Sequence, residues 1–190
     1  MLPPLILASA SPRRRELLQE HGFTFQVVPA NVKEIAPAHL TAGEITLGNA
    51  RAKARAVAAA HRDALVLGVD TVVAFEGEIL GKPADMDAAF AMLSRLNGKK
   101  HHVYSGVWLA HAASRRERGF TDITRVYFHQ RTELQLRAYL ARIGPLDKAG
   151  AYAAQDDRDE LIARVEGSMT NVIGLPMEAL AEALREFDRG

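Results

Sequence analysis

At 190 residues, 48% hydrophobic and 25% charged, the chain has the make-up of a soluble globular protein with enough sequence for a real core. Its 24 Lys+Arg against 23 Asp+Glu leave a net charge of +1, which excludes the basic excess of a general nucleic-acid binder, so any anion site must be a local cluster. It contains no cysteine, hence neither disulfides nor thiolate metal sites. No apolar run approaches the roughly 20 residues needed to span a bilayer, and the N-terminus lacks a signal-peptide pattern. A cytoplasmic protein is expected.

In chain order, Leu5–Ala8 reads as a buried strand, followed by Ser11 as a helix cap, Pro12 at the first helical position and Gly22 as the stop. Phe25–Val28 is a second short strand, and Pro29–Leu40 a loop holding Lys33 and Glu34. Thr41-Ala-Gly-Glu44 is a capping box that opens an alanine-rich helix to about Ala60. Ala64–Phe75 is a long apolar strand interrupted by Asp70, and Glu76-Gly77-Glu78 is a hairpin turn. Asp85 caps a helix with Ala89, Phe90, Leu93 and Leu96 on one face, stopped by Gly98. Val103–Ala112 and Thr121–His129 are two strands around a charged tip, Ser114–Arg118. A second capping box, Thr132-Glu-Leu-Gln135, opens a helix ending near Gly144-Pro145. A polar loop over Leu146–Asp159, a strand, a turn and a last helix over Pro176–Phe187 complete the chain. The alternation, without repeats or linkers, predicts one α/β domain over residues 1–190 with a mixed sheet.

Three arginines, Arg13 to Arg15, stand where a helix would begin, although positive charge there opposes the macrodipole. A strand entering a helix N-terminus offers free N–H groups to an anion, and Ser9 and Ser11 add hydroxyls. Local rules tend to be broken at functional sites, so a polyphosphate clamp is the sharper reading and three solvated charges the blander one. Helix spacing puts Arg13 one turn before Leu17 and Arg14 one turn before Leu18, so both are expected toward the sheet end and Arg15 toward solvent. Asp70, costly to bury unpaired, is either a strand-end cap or a base or metal ligand beside the anion site. Lys82 follows the hairpin and can reach back toward it. Lys53 shares a helix with Arg51 and Arg55, and spacing alone does not choose among them.

Two look-alikes fail. Gly77 to Pro83 has three residues between its glycines where a Walker A motif needs four, and proline in place of Ser/Thr. His101-His102 has no regular partner spacing and reads as strand-end surface rather than a metal site.

Seven motifs in order resemble the Maf family of nucleotide pyrophosphatases. They are SASPRR (Ser9–Arg14), ARAKA around Lys53, GVDTVV with Asp70, GKP with Lys82, YSGV (Tyr104–Val107), DKAGAYAAQ (Asp147–Gln155) and GSMTNVIGLP (Gly167–Pro176). The resemblance covers nearly the whole length. It implies an elongated α/β domain with a central mixed sheet flanked by helices and two lobes around a cleft, commonly dimeric. It also implies hydrolysis of nucleoside triphosphates between the α and β phosphates, with a divalent cation, Mg²⁺ or Mn²⁺. On this resemblance Ser9, Arg13, Arg14, Lys53 and Lys82 hold the triphosphate, and Asp70 ligates metal or takes a proton from the attacking water. Glu34 helps hold the metal, and Gln155 reads the base. The intact DKAGAYAAQ and the arginines directly after Pro12 resemble the dTTP/UTP branch rather than the 7-methyl-GTP branch. The acidic run after Gln155 departs from the glycine usual there and otherwise reads as a solvated loop. Tyr104, Tyr152, Asn171 and the two glycines of the last motif read as structural. A non-catalytic nucleotide-binding regulator of cell division is the alternative from another class.

Overall fold

Leu5–Leu7 forms the first strand, β1, in a computed structural model that describes residues 3–156 and 160–189. The other strands are β2 (Phe25–Val27), β3 (Leu65–Phe75), β4 (Glu78–Leu80), β5 (Lys100–His111), β6 (Arg116–Phe128) and β7 (Ile162–Glu166). The helices are α1 (Pro12–Glu20), α2 (Ala42–Ala60), α3 (Met86–Leu96), α4 (Glu133–Ile143), α5 (Met169–Ile173) and α6 (Met177–Arg189). The strands make one mixed sheet in the order β2-β1-β3-β5-β6-β7, with β4 paired to β3. β1 is parallel to β2 and to β3, whereas β3–β4 and β6–β7 are antiparallel. The expected α/β class with a mixed sheet is therefore what the chain forms.

Residues group into two compact units, Met1–Thr71 with Ser105–Asp122 and Gly174–Gly190, and Val72–Tyr104 with Ile123–Ile173. The first unit holds the parallel strands. Leu5, Ile6 and Leu7 are all buried, as strands covered on both faces require. α2 opens with the Thr41–Glu44 capping box, in which Glu44 Oε2 accepts the Thr41 N–H at 2.8 Å. The helix lies hard against the sheet because two glycines face it. A Cβ on Gly68 of β3 would collide with the Ala50 carbonyl and stand 2.8 Å from the Ala54 nitrogen, and one on Gly106 of β5 would collide with the Thr46 backbone. This close approach brings the inner face of α2 down onto β3.

The expected charged tip around 114–118 is shorter than its charges suggest. β6 begins at Arg116, because each charge on its first residues meets a partner. Arg116 donates to the Phe187 carbonyl, Glu117 accepts from both Arg55 Nε and Nη2, and Arg118 pairs with Glu186.

In the second unit, Glu76 (φ 51°) and Gly77 (φ 84°) turn the β3–β4 hairpin, a geometry that favours glycine at the tip. Asp85 caps α3 by accepting the Ala88 N–H at 2.8 Å. Ala89, Leu93 and Leu96 point into a core with Val73, Phe128 and Tyr139, and Phe90 packs at its edge. Burying one such leucine is worth about 1.5–3 kcal/mol. The α4 capping box forms as expected at Thr132 and Gln135, and Gly144 ends the helix in the left-handed region. Residues 145–156 are three short 3₁₀ turns rather than one open loop. The acidic run beyond them falls on Asp157–Asp159 and the Asp156 side chain, outside the described residues.

His101 corrects its sequence reading. It is not strand-end surface but a core residue, 1% exposed, edge-on to Phe128 and Tyr152, with Nε2 hydrogen-bonded to the Tyr152 hydroxyl at 2.9 Å. Burial, helped by His102, pushes its pKa down to about 3, so the imidazole is neutral at physiological pH. Tyr152 is a packing residue, as expected. Asn171 is fully buried and donates to Thr124 Oγ1 at 3.0 Å and to the Val103 carbonyl at 3.3 Å, which fits its structural reading.

Candidate active site

β1 pairs with β3 only as far as Leu67, where its chain leaves to form the Ser9–Ser11 turn and α1. Asp70 therefore lies on β3 beyond the parallel ladder, which explains how an apolar strand carries a carboxylate. It is buried and does not cap a backbone turn. Its Oδ1 accepts from Lys53 Nζ at 2.8 Å and its Oδ2 from Asn49 Nδ2 at 3.0 Å. Lys53 also donates to the Val69 carbonyl at 3.2 Å and pairs with Glu34 Oε1 at 2.6 Å. All three ammonium protons are thus engaged. The side chains of Lys53 and Asp70 are 10% and 8% exposed, while Glu34 is 57% exposed.

The structure also settles which basic residue of α2 faces inward. Arg51 sits over the Trp108 ring and Arg55 on Glu117, leaving Lys53 as the one aimed at Asp70. Asn49, which spacing did not single out, is the residue that sequence reasoning missed. Its position one turn before Lys53 was the available signal.

Arg14 is buried, as Leu18 predicted. Its fork donates to the Gly174 carbonyl at 2.9 Å, to Ser9 Oγ at 2.9 Å and to Thr71 Oγ1 at 3.1 Å. Burial pushes its pKa down to about 10, against the pull of Asp70 and Glu34 and with the repulsion of Arg13, so it remains a cation at neutral pH. Thr71 in turn bonds Ser105 Oγ at 2.8 Å. Gly174 has φ 132°, a conformation that L side chains rarely adopt. Ser11 occupies the cap position of α1 without a side-chain cap bond. Arg13 is half-buried rather than pressed to the sheet, and Arg15 is exposed.

Ser9, Arg13, Arg14, Glu34, Lys53 and Asp70 thus belong to the first unit, with Ser9 bonded to Arg14 and Glu34 and Asp70 joined through Lys53. Lys82 and Gln155 belong to the second, both exposed, Lys82 just after β4 and Gln155 in the last 3₁₀ turn.

The arginines separate by experiment. Arg14→Ala strips buried acceptors of their donor, a loss of about 1–3 kcal/mol for a group left unpaired. It is expected to lower both Tm and turnover. Arg13→Ala is expected to raise KM with little change in Tm, and Arg15→Ala to change neither. Thermal melts and steady-state kinetics on the three variants check this; equal effects at all three would refute the assignment of faces.

Buried Arg14, Lys53 and Asp70, with the more exposed Glu34, gather beyond the end of a parallel ladder in an α/β protein with a mixed sheet. The family model described as Maf-like protein matches residues 4–187, and the chain belongs to the Maf family. Three relatives are each described as a dTTP/UTP pyrophosphatase. The one from Pelotomaculum thermopropionicum is 46% identical over 96% of this chain and 96% of its own length. That from Moorella thermoacetica is 47% identical over 96% and 94%, and that from Bdellovibrio bacteriovorus 42% over 98% and 100%.

Proposed function

We propose that residues 1–190 form a single nucleoside triphosphate pyrophosphatase domain that hydrolyses dTTP and UTP to the monophosphate and pyrophosphate. The observation that carries this reading is the buried Lys53–Asp70 pair, with the exposed Glu34 on the same ammonium, beside Arg14 and Ser9, in a chain whose relatives bear that activity as their name. Water attacks the α-phosphorus, a new P–O bond forms, and the bond from that phosphorus to the α–β bridging oxygen breaks. The electron pair leaves on pyrophosphate. Asp70 takes the proton that the water loses. Ser9, Arg13, Arg14, Lys53 and Lys82 hold the phosphate oxygens, since phosphoryl transfer is governed mainly by positioning and charge.

The donor set also suits a divalent cation. Glu34 and Asp70 aim two hard carboxylate oxygens at the same ammonium, and Mg²⁺ is usually held by one or two carboxylates together with substrate phosphates and water. Among the described residues no group of three or more His, Asp or Glu gathers as a metal site. Glu34 and Asp70 would hold Mg²⁺ or Mn²⁺, which supplies Lewis-acid polarisation of a phosphoryl oxygen when bound.

The same proposal makes free nucleotide, rather than nucleic acid or membrane, the partner of a cytoplasmic homodimer. The near-neutral charge supports a small-molecule substrate, and among the described residues no helix is long and apolar enough to cross a membrane.

Gln155 supplies the base preference. Its amide both donates and accepts, matching O4 and N3–H of uracil or thymine, whereas cytosine reverses that pattern. Pyrophosphate release from a panel of nucleotides is expected to be fastest with dTTP and UTP. Gln155→Glu keeps the size but removes the donor, and is expected to cut UTP turnover while Tm holds. Fastest turnover of GTP or a methylated purine would overturn the base assignment and leave the chemistry standing. No release from any nucleotide would favour a non-catalytic binder.

A further inference from the structure

Asn49 and Lys53, one turn apart on α2, divide Asp70 between them, Asn49 on Oδ2 at 3.0 Å and Lys53 on Oδ1 at 2.8 Å. Asn49 does more than this. Its Oδ1 accepts the Ile35 N–H at 3.0 Å, and its Nδ2 donates to the Ile35 carbonyl at 3.0 Å. The amide therefore closes a two-bond clasp on the backbone next to Glu34 and spends its other N–H on Asp70. With Lys53 bonded to Glu34, the four side chains form a ring, Asn49–Asp70–Lys53–Glu34, completed through Ile35. Asn97 makes the same clasp on the backbone of Arg131, with both bonds at 2.8 Å.

The two arms of this ring differ in charge. The Lys53 arm is ionic, and a polyphosphate competes for its ammonium. As that arm opens, Glu34 and Asp70 are left to repel each other. The Asn49 arm is neutral and has no reason to open. We propose that Asn49 is a positioning residue, a charge-independent clasp that holds the Glu34 segment in register with Asp70 while Lys53 engages the substrate. The role rests on the assignment of Glu34 and Asp70 made under Proposed function.

The test compares wild type with Asn49→Ala, Asn49→Asp, Glu34→Ala, the Asn49/Glu34 double variant and Asn97→Ala. Asn49→Asp keeps the acceptor for Ile35 but loses both donated bonds, so it reports on the clasp even if Asn49→Ala fails to fold. Partners that orient a ligating or reacting group typically account for about 10–100-fold in activity or metal affinity. Both Asn49 variants are expected to lose about that much kcat on UTP with KM little changed. Asn49→Ala, which removes the acceptor as well, is also expected to bind Mn²⁺ alone more weakly and to speed hydrogen exchange at the Ile35 amide. The double variant should be no slower than Glu34→Ala, because residues acting through one another are non-additive. Asn97→Ala should lower Tm and leave kcat unchanged. Additive losses, unchanged kcat in Asn49→Asp, or unchanged Mn²⁺ binding and Ile35 exchange in Asn49→Ala, would overturn the clasp. If wild type releases no pyrophosphate from UTP, the enzymatic reading falls, while the Mn²⁺ and exchange comparisons still decide the clasp.

Discussion

Asp70→Asn is expected to slow UTP hydrolysis by about 10²–10⁴-fold, the usual worth of a positioned general base. The exchange removes the negative charge and the proton acceptor while keeping the volume. It also sets an NH₂ group against one of two donors, Lys53 Nζ or Asn49 Nδ2, since both now point at carboxylate oxygens. A moderate fall in Tm is therefore expected alongside an intact fold. Single-turnover pyrophosphate release with circular dichroism separates the two effects. A folded variant with near-wild-type turnover would remove Asp70 from the mechanism.

Lys53→Met is expected to damage stability more than any other change at the site. The thioether fills the space of the stem but leaves Glu34 and Asp70 facing each other without a cation. Breaking a buried ion pair costs about 3–5 kcal/mol when the partner stays buried. Asp70 stays buried, whereas Glu34, 57% exposed, relaxes into water and recovers part of that cost. A loss near 3 kcal/mol at this chain length corresponds to a Tm lower by about 6–12 °C. Turnover should fall as well, since the same ammonium is assigned to the phosphates. Millimolar Mg²⁺ is expected to recover more Tm in Lys53→Met than in wild type, because the freed carboxylates then attract a cation. A variant that melts like wild type, with or without Mg²⁺, would show that the ammonium does not hold this ring together.

The local elements were legible in the sequence because their signals are local. The Thr41–Glu44 and Thr132–Gln135 boxes, the Asp85 cap, the apolar face of α3 and the left-handed Gly144 all depend on residues within one or two turns of each other. The mixed α/β class followed from their alternation, and the burial of Arg14 with exposure of Arg15 from helix periodicity. The family motifs pointed to the chemistry, and the match over residues 4–187 agrees with them.

Only the tertiary structure decided the rest, because the deciding partners lie far away along the chain. Arg14 finds its carbonyl 160 residues later, at Gly174. Arg51, Lys53 and Arg55 are equivalent by composition, and the choice of Lys53 depends on where β3 passes beneath α2, which glycines at 68 and 106 set by permitting close contact. Asn49 carries no motif of its own, and it matters because Ile35 and Asp70 arrive at its two ends. His101 looked like surface until Phe128 and Tyr152 closed over it. In each case the sequence determined which groups were available, and packing between distant segments determined which of them met.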